Sequence, residues 1–185
     1  MRAAIIDSSP LLALGALGRA ERLASYFDVI LVPMRVQREV CRRRSFKGTL
    51  KRLYGSGLYR RCPVADRTRV DLLCVDLDPG EAEAITQAQD REVPVFIVDE
   101  RKARRVAARV GLHCLGAVRL LARMCLEEDG SAEHARHLCA ELEADLQYRV
   151  APEVINKAIS MADLPLVPAH GTAFPRRAPR FPLQR

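Results

Sequence analysis

Residues 70–116 read VDLLCVDLDPGEAEAITQAQDREVPVFIVDERKARRVAARVGLHCLG. Residues 72–75 have the length and apolar content of a short strand. Asp78 then stands as a helix cap, with Pro79 at the first helical position and Glu81 in the first turn, where an acid suits the helix dipole. Ala82, Ile85, Ala88 and Gln89 continue the buried side of that helix. Residues 93–98, VPVFIV, form a continuous apolar strand ending at Asp99-Glu100. The next segment, RKARRVAARV, reads as a helix that stops at Gly111, a residue suited to a left-handed cap. Residues 112–115 give a last short strand, and 116–128 a further helix. Short apolar strands alternating with longer helical segments predict an α/β sandwich around a parallel sheet.

The same logic extends toward the N-terminus. In AAIIDSSPLLAL, residues 3–14, a buried strand over Ala3–Ile6 meets Asp7-Ser8-Ser9, with Ser9 and Pro10 placed to cap and open a helix. Residues 28–32, DVILV, supply a second strand, and PMRVQREVCRRR after it repeats Val36, Val40 and Cys41 at helical spacing. Toward the C-terminus, residues 131–162 read as two helices separated by Ala151-Pro152. Residues 163–185 carry five of the eleven prolines and read as a disordered basic tail. The expected organisation is a domain over 1–128, a helical extension over 131–162 and that tail.

With 185 residues, 49% of them hydrophobic, the chain can bury one sizeable core. No apolar run reaches the roughly 18 residues of a membrane span, and no apolar signal-peptide core precedes Asp7. A soluble, cytoplasmic protein without membrane contact is expected. Six cysteines form no CxxC pair, and most fall in periodic apolar segments, which predicts reduced thiols rather than zinc ligands or disulfides. No GxxxxGK[ST] or GxGxxG phosphate loop is present, which argues against an NTPase or a dinucleotide enzyme.

The net charge of +7 points to a polyanionic partner. Residues 41–61 concentrate it, holding eight Lys or Arg and no acid, with Phe46, Tyr54 and Tyr59 interleaved. Such a mixture can neutralise phosphates and stack bases, or simply form a solvated helix face followed by a glycine-rich loop. Lys102 and Arg104, on the helix after Asp99, are further candidates for a nucleic-acid backbone.

Against this basic background four acids stand out. Asp7 and Asp99 each follow a strand, and ligands of open parallel sheets gather at that edge. Glu81 opens the helix leading to the Asp99 strand, and Glu39 lies on the helix after the second strand. Taken singly, each has an ordinary explanation as a turn residue, cap, dipole partner or ion pair. Together they make an oxygen-rich set of the kind that hard divalent cations prefer.

The segments IIDSSPLLAL, VILVPMRVQREV, LDPGEAEAITQA and PVFIVDERKARRVAARVGL, in this order, resemble the PIN domain family, in its branch with a GEAEAI helix and a D-[DE]-x-x-A-R segment. The likeness runs from about Ala3 to Met124 and continues more weakly through LEADLQYRVAPEVINKAISMA. It implies a three-layer sandwich with a central parallel sheet and a C-terminal helical extension. It further implies a metal-dependent endoribonuclease in which Asp7, Glu39, Glu81 and Asp99 hold Mg²⁺ or Mn²⁺ and metal-activated water attacks an RNA phosphodiester. Ser8 or Ser9 stands where a hydroxyl supports the first Asp, and Glu83 and Glu100 are neighbours of the quartet. Many family members are the toxins of toxin–antitoxin pairs, so an antitoxin protein and a homodimer are expected partners. The alternative is a catalytically inactive PIN-like RNA-binding or regulatory module that uses residues 42–61 and the tail. His134 and His137 belong to an ordinary amphipathic helix, SAEHARHLCAELEADL, and His113 reads as a core or rim residue.

Overall fold

The computed structural model describes residues 1–64, 66–146 and 148–167. Five strands, β1 (Ala3–Ile6), β2 (Val29–Pro33), β3 (Tyr59–Cys62), β4 (Val95–Ile97) and β5 (His113–Leu115), form one all-parallel sheet in the order β3-β2-β1-β4-β5. The three inner strands are apolar throughout because both faces of the sheet are covered. Alternate side chains of each strand enter opposite cores. Ala4, Ile6, Ile30, Val32, Val95 and Ile97 join one core, whereas Ala3, Ile5, Val29, Leu31, Phe96 and Val98 join the other.

The first core is closed by α1 (Ser8–Ala16), α2 (Met34–Cys41), α3 (Phe46–Gly55), α7 (Ala117–Asp129), α8 (Ala132–Leu146) and α9 (Pro152–Ser160). The second is closed by α4 (Arg67–Leu73), α5 (Pro79–Asp90) and α6 (Arg101–Arg109). This is the expected three-layer α/β sandwich, with α8 and α9 packed onto it as the helical extension. Among the described residues no helix is long and apolar enough to cross a membrane. All six cysteines are free, with Cys62, Cys125 and Cys139 buried.

Two local readings need correction. Residues 72–75 are not a strand: they end α4 and the turn after it. Val70 is buried and Cys74, one helical turn later, packs on the same core, while Leu72 and Val75 are 71% and 83% exposed. A short apolar run does not distinguish a helix from a strand by periodicity alone, and here Asp66 decides it by accepting the Arg69 amide at 3.0 Å as a helix cap. The missing strand is β3, inside the basic segment, where Arg60 and Arg61 are exposed at the sheet edge while Tyr59 and Cys62 are buried, one in each core. The second correction concerns Ser9, which does not cap α1. Asp7 holds the cap position and Ser8 already opens the helix. The tail read over 163–185 falls outside the described residues from 168 onward.

Candidate active site

Neighbouring strands β1 and β4 run in register, Ile6 beside Ile97, and the Asp7 amide donates to the Ile97 carbonyl at 3.0 Å. Asp7 and Asp99 therefore leave the sheet on the same carboxyl edge. Asp7 is 5% exposed. Burial pushes its pKa up to about 6; the amides of Ser8 and Ser9 pull the other way, while the charges of Glu39 and Asp99 add to the rise.

Glu81 reaches the same region from the first turn of α5. Asp78 and Glu81 form a capping box, with the Asp78 amide donating to Glu81 Oε2 at 3.2 Å. The side chain is nonetheless buried, and burial, with the charges of Asp7, Asp78 and Glu100, raises its pKa to about 7 against the pull of that amide. Glu39 approaches from α2. Its Oε2 and Oε1 lie 3.0 and 3.2 Å from where a Cβ on Gly80 would sit, so the missing side chain at Gly80 lets this carboxylate rest on the start of α5. Arg35, one turn earlier, pairs with Glu39 at 3.5 Å.

Asp99 is the most heavily engaged of the four. It does not cap the helix that follows it, because Glu100 does so by accepting the Lys102 amide at 3.2 Å. Instead Asp99 Oδ1 accepts the amide of Ala117, at the start of α7, at 2.9 Å, and Oδ2 accepts a hydrogen bond from the Tyr148 hydroxyl. Burial raises the Asp99 pKa, and both bonds and the nearby Arg104 act against that rise.

Glu83, two residues from Glu81, turns to a structural task. It is buried, accepts the Arg35 amide at 2.9 Å and pairs with Arg67 at 2.9 Å. Asp7 thus lies within the charge field of Glu39 and Asp99, and Glu81 within that of Asp7, each acid reaching this edge from a different element. Among the described residues no three Asp, Glu, His or Cys side chains are drawn close enough to close around an ion.

A family model described as a PIN domain matches residues 3–163. The chain belongs to the PIN domain family. No curated protein and no solved structure matches it. PIN domains are generally nucleases that use divalent metals, and the acids of this PIN domain lie at the sheet edge where α/β folds place their ligands.

The PIN domain also shows which surface residues are free to meet a ligand. Phe46 and Tyr59 are core residues: the Phe46 ring packs over Gly15, and the Tyr59 hydroxyl donates to the Ala20 carbonyl at 2.8 Å. Tyr54 is half-buried beneath the Arg61 guanidinium, 4.9 Å from the ring centre. None of the three presents an open face for base stacking, whereas Arg42, Arg43, Arg44 and Lys47 are exposed. Lys102 pairs with Asp76 at 3.1 Å, and Arg104 turns inward to donate to the Val98 carbonyl at 3.1 Å. His134 and His137 bond to Asp129 and Glu141 at 2.8 and 3.1 Å, away from the acids.

Tyr148 is the site residue that sequence reasoning missed. It lies 49 positions from Asp99, in the weaker C-terminal stretch of the resemblance, and only packing of α8 and α9 against α7 brings it there.

Proposed function

We propose that this PIN domain is a Mg²⁺- or Mn²⁺-dependent endoribonuclease that hydrolyses RNA phosphodiester bonds. The observation that carries the reading is the burial of Asp7 within the charge field of Glu39 and Asp99 and beside Glu81. Carboxylates brought together in this way repel one another and resist ionisation, and a hard cation relieves both costs. The donor set fits such an ion in kind, being carboxylate oxygen throughout, and Asp7, Glu39, Glu81 and Asp99 are the residues that would hold it. A bound ion supplies polarisation of the phosphate and a more acidic water.

The chain's own residues do the rest. The Ala117 amide fixes one oxygen of Asp99, and Gly80 gives Glu39 room to lie against α5. Burial and the neighbouring acids push the Glu81 pKa up to about 7 without an ion, so a bound cation would favour its charged form. The exposed arginines of residues 42–44 offer a phosphate-binding surface beyond the site.

The toxin role, an antitoxin partner and a homodimer are supported by the sequence resemblance, and an upstream small gene overlapping this one would favour them. A second reading, an RNA-binding or regulatory module without turnover, is favoured by the engagement of both Asp99 oxygens. Incubation of the purified protein with RNA and Mn²⁺ separates the two. The nuclease reading predicts cleavage that EDTA stops and Asp7→Asn or Asp99→Asn abolishes, with folding retained. Binding that weakens steeply with salt, without cleavage, supports the module.

A further inference from the structure

Beside Asp99, between β5, α6, α7 and α9, the structure holds a cavity of about 490 Å³ whose polar wall is cationic. This volume lies within the range of about 300–1,000 Å³ usual for small-ligand sites. Arg101, Arg104, Arg119 and Lys157 bring four permanent positive charges to it, and Asp99, already engaged, brings the one acid. Two of the lining residues also carry a buried polar atom without a partner among the described residues, Arg119 Nε and His113 Nε2.

The cations are held in place by the fold. Arg104 donates to the Val98 carbonyl at 3.1 Å, and Arg119 Nη2 donates to the carbonyls of Leu164 and Pro165 at 3.3 and 3.2 Å. Those contacts orient both guanidinium groups while leaving Arg119 Nε unpaired. The excess of charge suits a dianion better than a carboxylate, and guanidinium groups match phosphate oxygens geometrically. Val118, Val154 and Met161 give the remaining wall an apolar surface on which a base or sugar can lie.

We propose that this cavity binds the terminal phosphate of an RNA strand, with the end nucleotide against the apolar wall. The phosphate assignment stands on the cavity alone, whereas its attachment to an RNA end rests on the nuclease reading of the neighbouring acids. The test is fluorescence anisotropy in EDTA, where no strand is cut, with one short RNA carrying a 5′-phosphate, a 3′-phosphate or no terminal phosphate. One phosphorylated form is expected to bind at least about fivefold tighter than the unphosphorylated strand. Arg119→Gln and the exposed Lys157→Gln should each shrink that preference below about twofold without weakening the unphosphorylated strand. A nucleoside monophosphate should compete for the preferred end.

Equal binding of all three strands, or a preference that survives both substitutions, would overturn the proposal. Binding of the free nucleotide without any end preference would overturn the assignment to a strand end. A protein that prefers phosphorylated ends yet cuts nothing with Mn²⁺ would keep this inference and lose the nuclease reading; cleavage without end preference would do the reverse.

Discussion

The Tyr148 hydroxyl donates to Asp99 Oδ2, tying the segment after α8 to the carboxyl edge of the sheet. The Ala117 amide holds the other oxygen at 2.9 Å. A single carboxylate thus joins the sheet, α7 and the helical extension, and a metal at this edge would compete with the phenol for it.

Tyr148→Phe keeps the ring and removes that bond. Hydrogen bonds to charged groups contribute about 1.5–3 kcal/mol, so the variant should lose stability of that order in denaturant unfolding. It should bind Mn²⁺ several-fold more tightly in calorimetry, because one Asp99 oxygen is released. Unchanged Mn²⁺ affinity would show that the phenol does not compete with the ion.

Asp7 makes the pH dependence of stability predictable. Its pKa, near 3.9 in an unfolded chain, is about 6 in the fold. The folded state therefore binds this proton more readily, and the stability so gained is present below about pH 4 and lost as pH rises through 6. Asp7→Asn mimics the protonated form. In EDTA it should stabilise the protein by about 2–3 kcal/mol at pH 8 and by clearly less at pH 5. Unfolding curves at both values check this, and an equal difference at both pH values would contradict it.

Gly80→Ala tests the seating of Glu39. The new Cβ would stand 3.0 Å from Glu39 Oε2, inside ordinary contact distance. Alanine is favoured over glycine in a helix by about 1 kcal/mol, so stability should hold while Mn²⁺-dependent cleavage falls several-fold. A variant as active as the parent would remove Glu39 from the site.

Glu83→Gln addresses the neighbour with the structural task. Glu83 answers both the Arg35 amide and Arg67, and weakening the hydrogen bonds of a buried carboxylate costs on the order of 1–3 kcal/mol. The variant should melt at lower temperature yet cleave RNA at the parent's rate per folded molecule, whereas Glu81→Gln should lose cleavage.

Much of this arrangement is legible in the chain itself. Asp78, Pro79 and Glu81 announce the start of α5, and the apolar run before Asp99 announces β4, because these signals are local. Asp7 and Asp99 mark the candidate site by following strands and Glu81 by opening a helix, whereas Glu39, near the end of α2, joins them only through packing on the start of α5. Strand β3 stays hidden because an edge strand with Arg60 and Arg61 turned to solvent looks like the basic segment around it. The roles of Phe46 and Tyr59 are hidden for a related reason: aromatic residues among arginines look available for stacking until the fold buries them. Tyr148, His113 and Arg119 meet Asp99 or its cavity only through long-range packing, which no local spacing encodes.

The most direct test of the central claim is an anomalous difference map from crystals of the full chain soaked in Mn²⁺. The account predicts a peak in contact with Asp7 and at least one of Glu39, Glu81 and Asp99, with Tyr148 displaced if Asp99 is a ligand. A well-soaked crystal with no peak at this edge, and Asp7 unchanged beside Ile97, would contradict it.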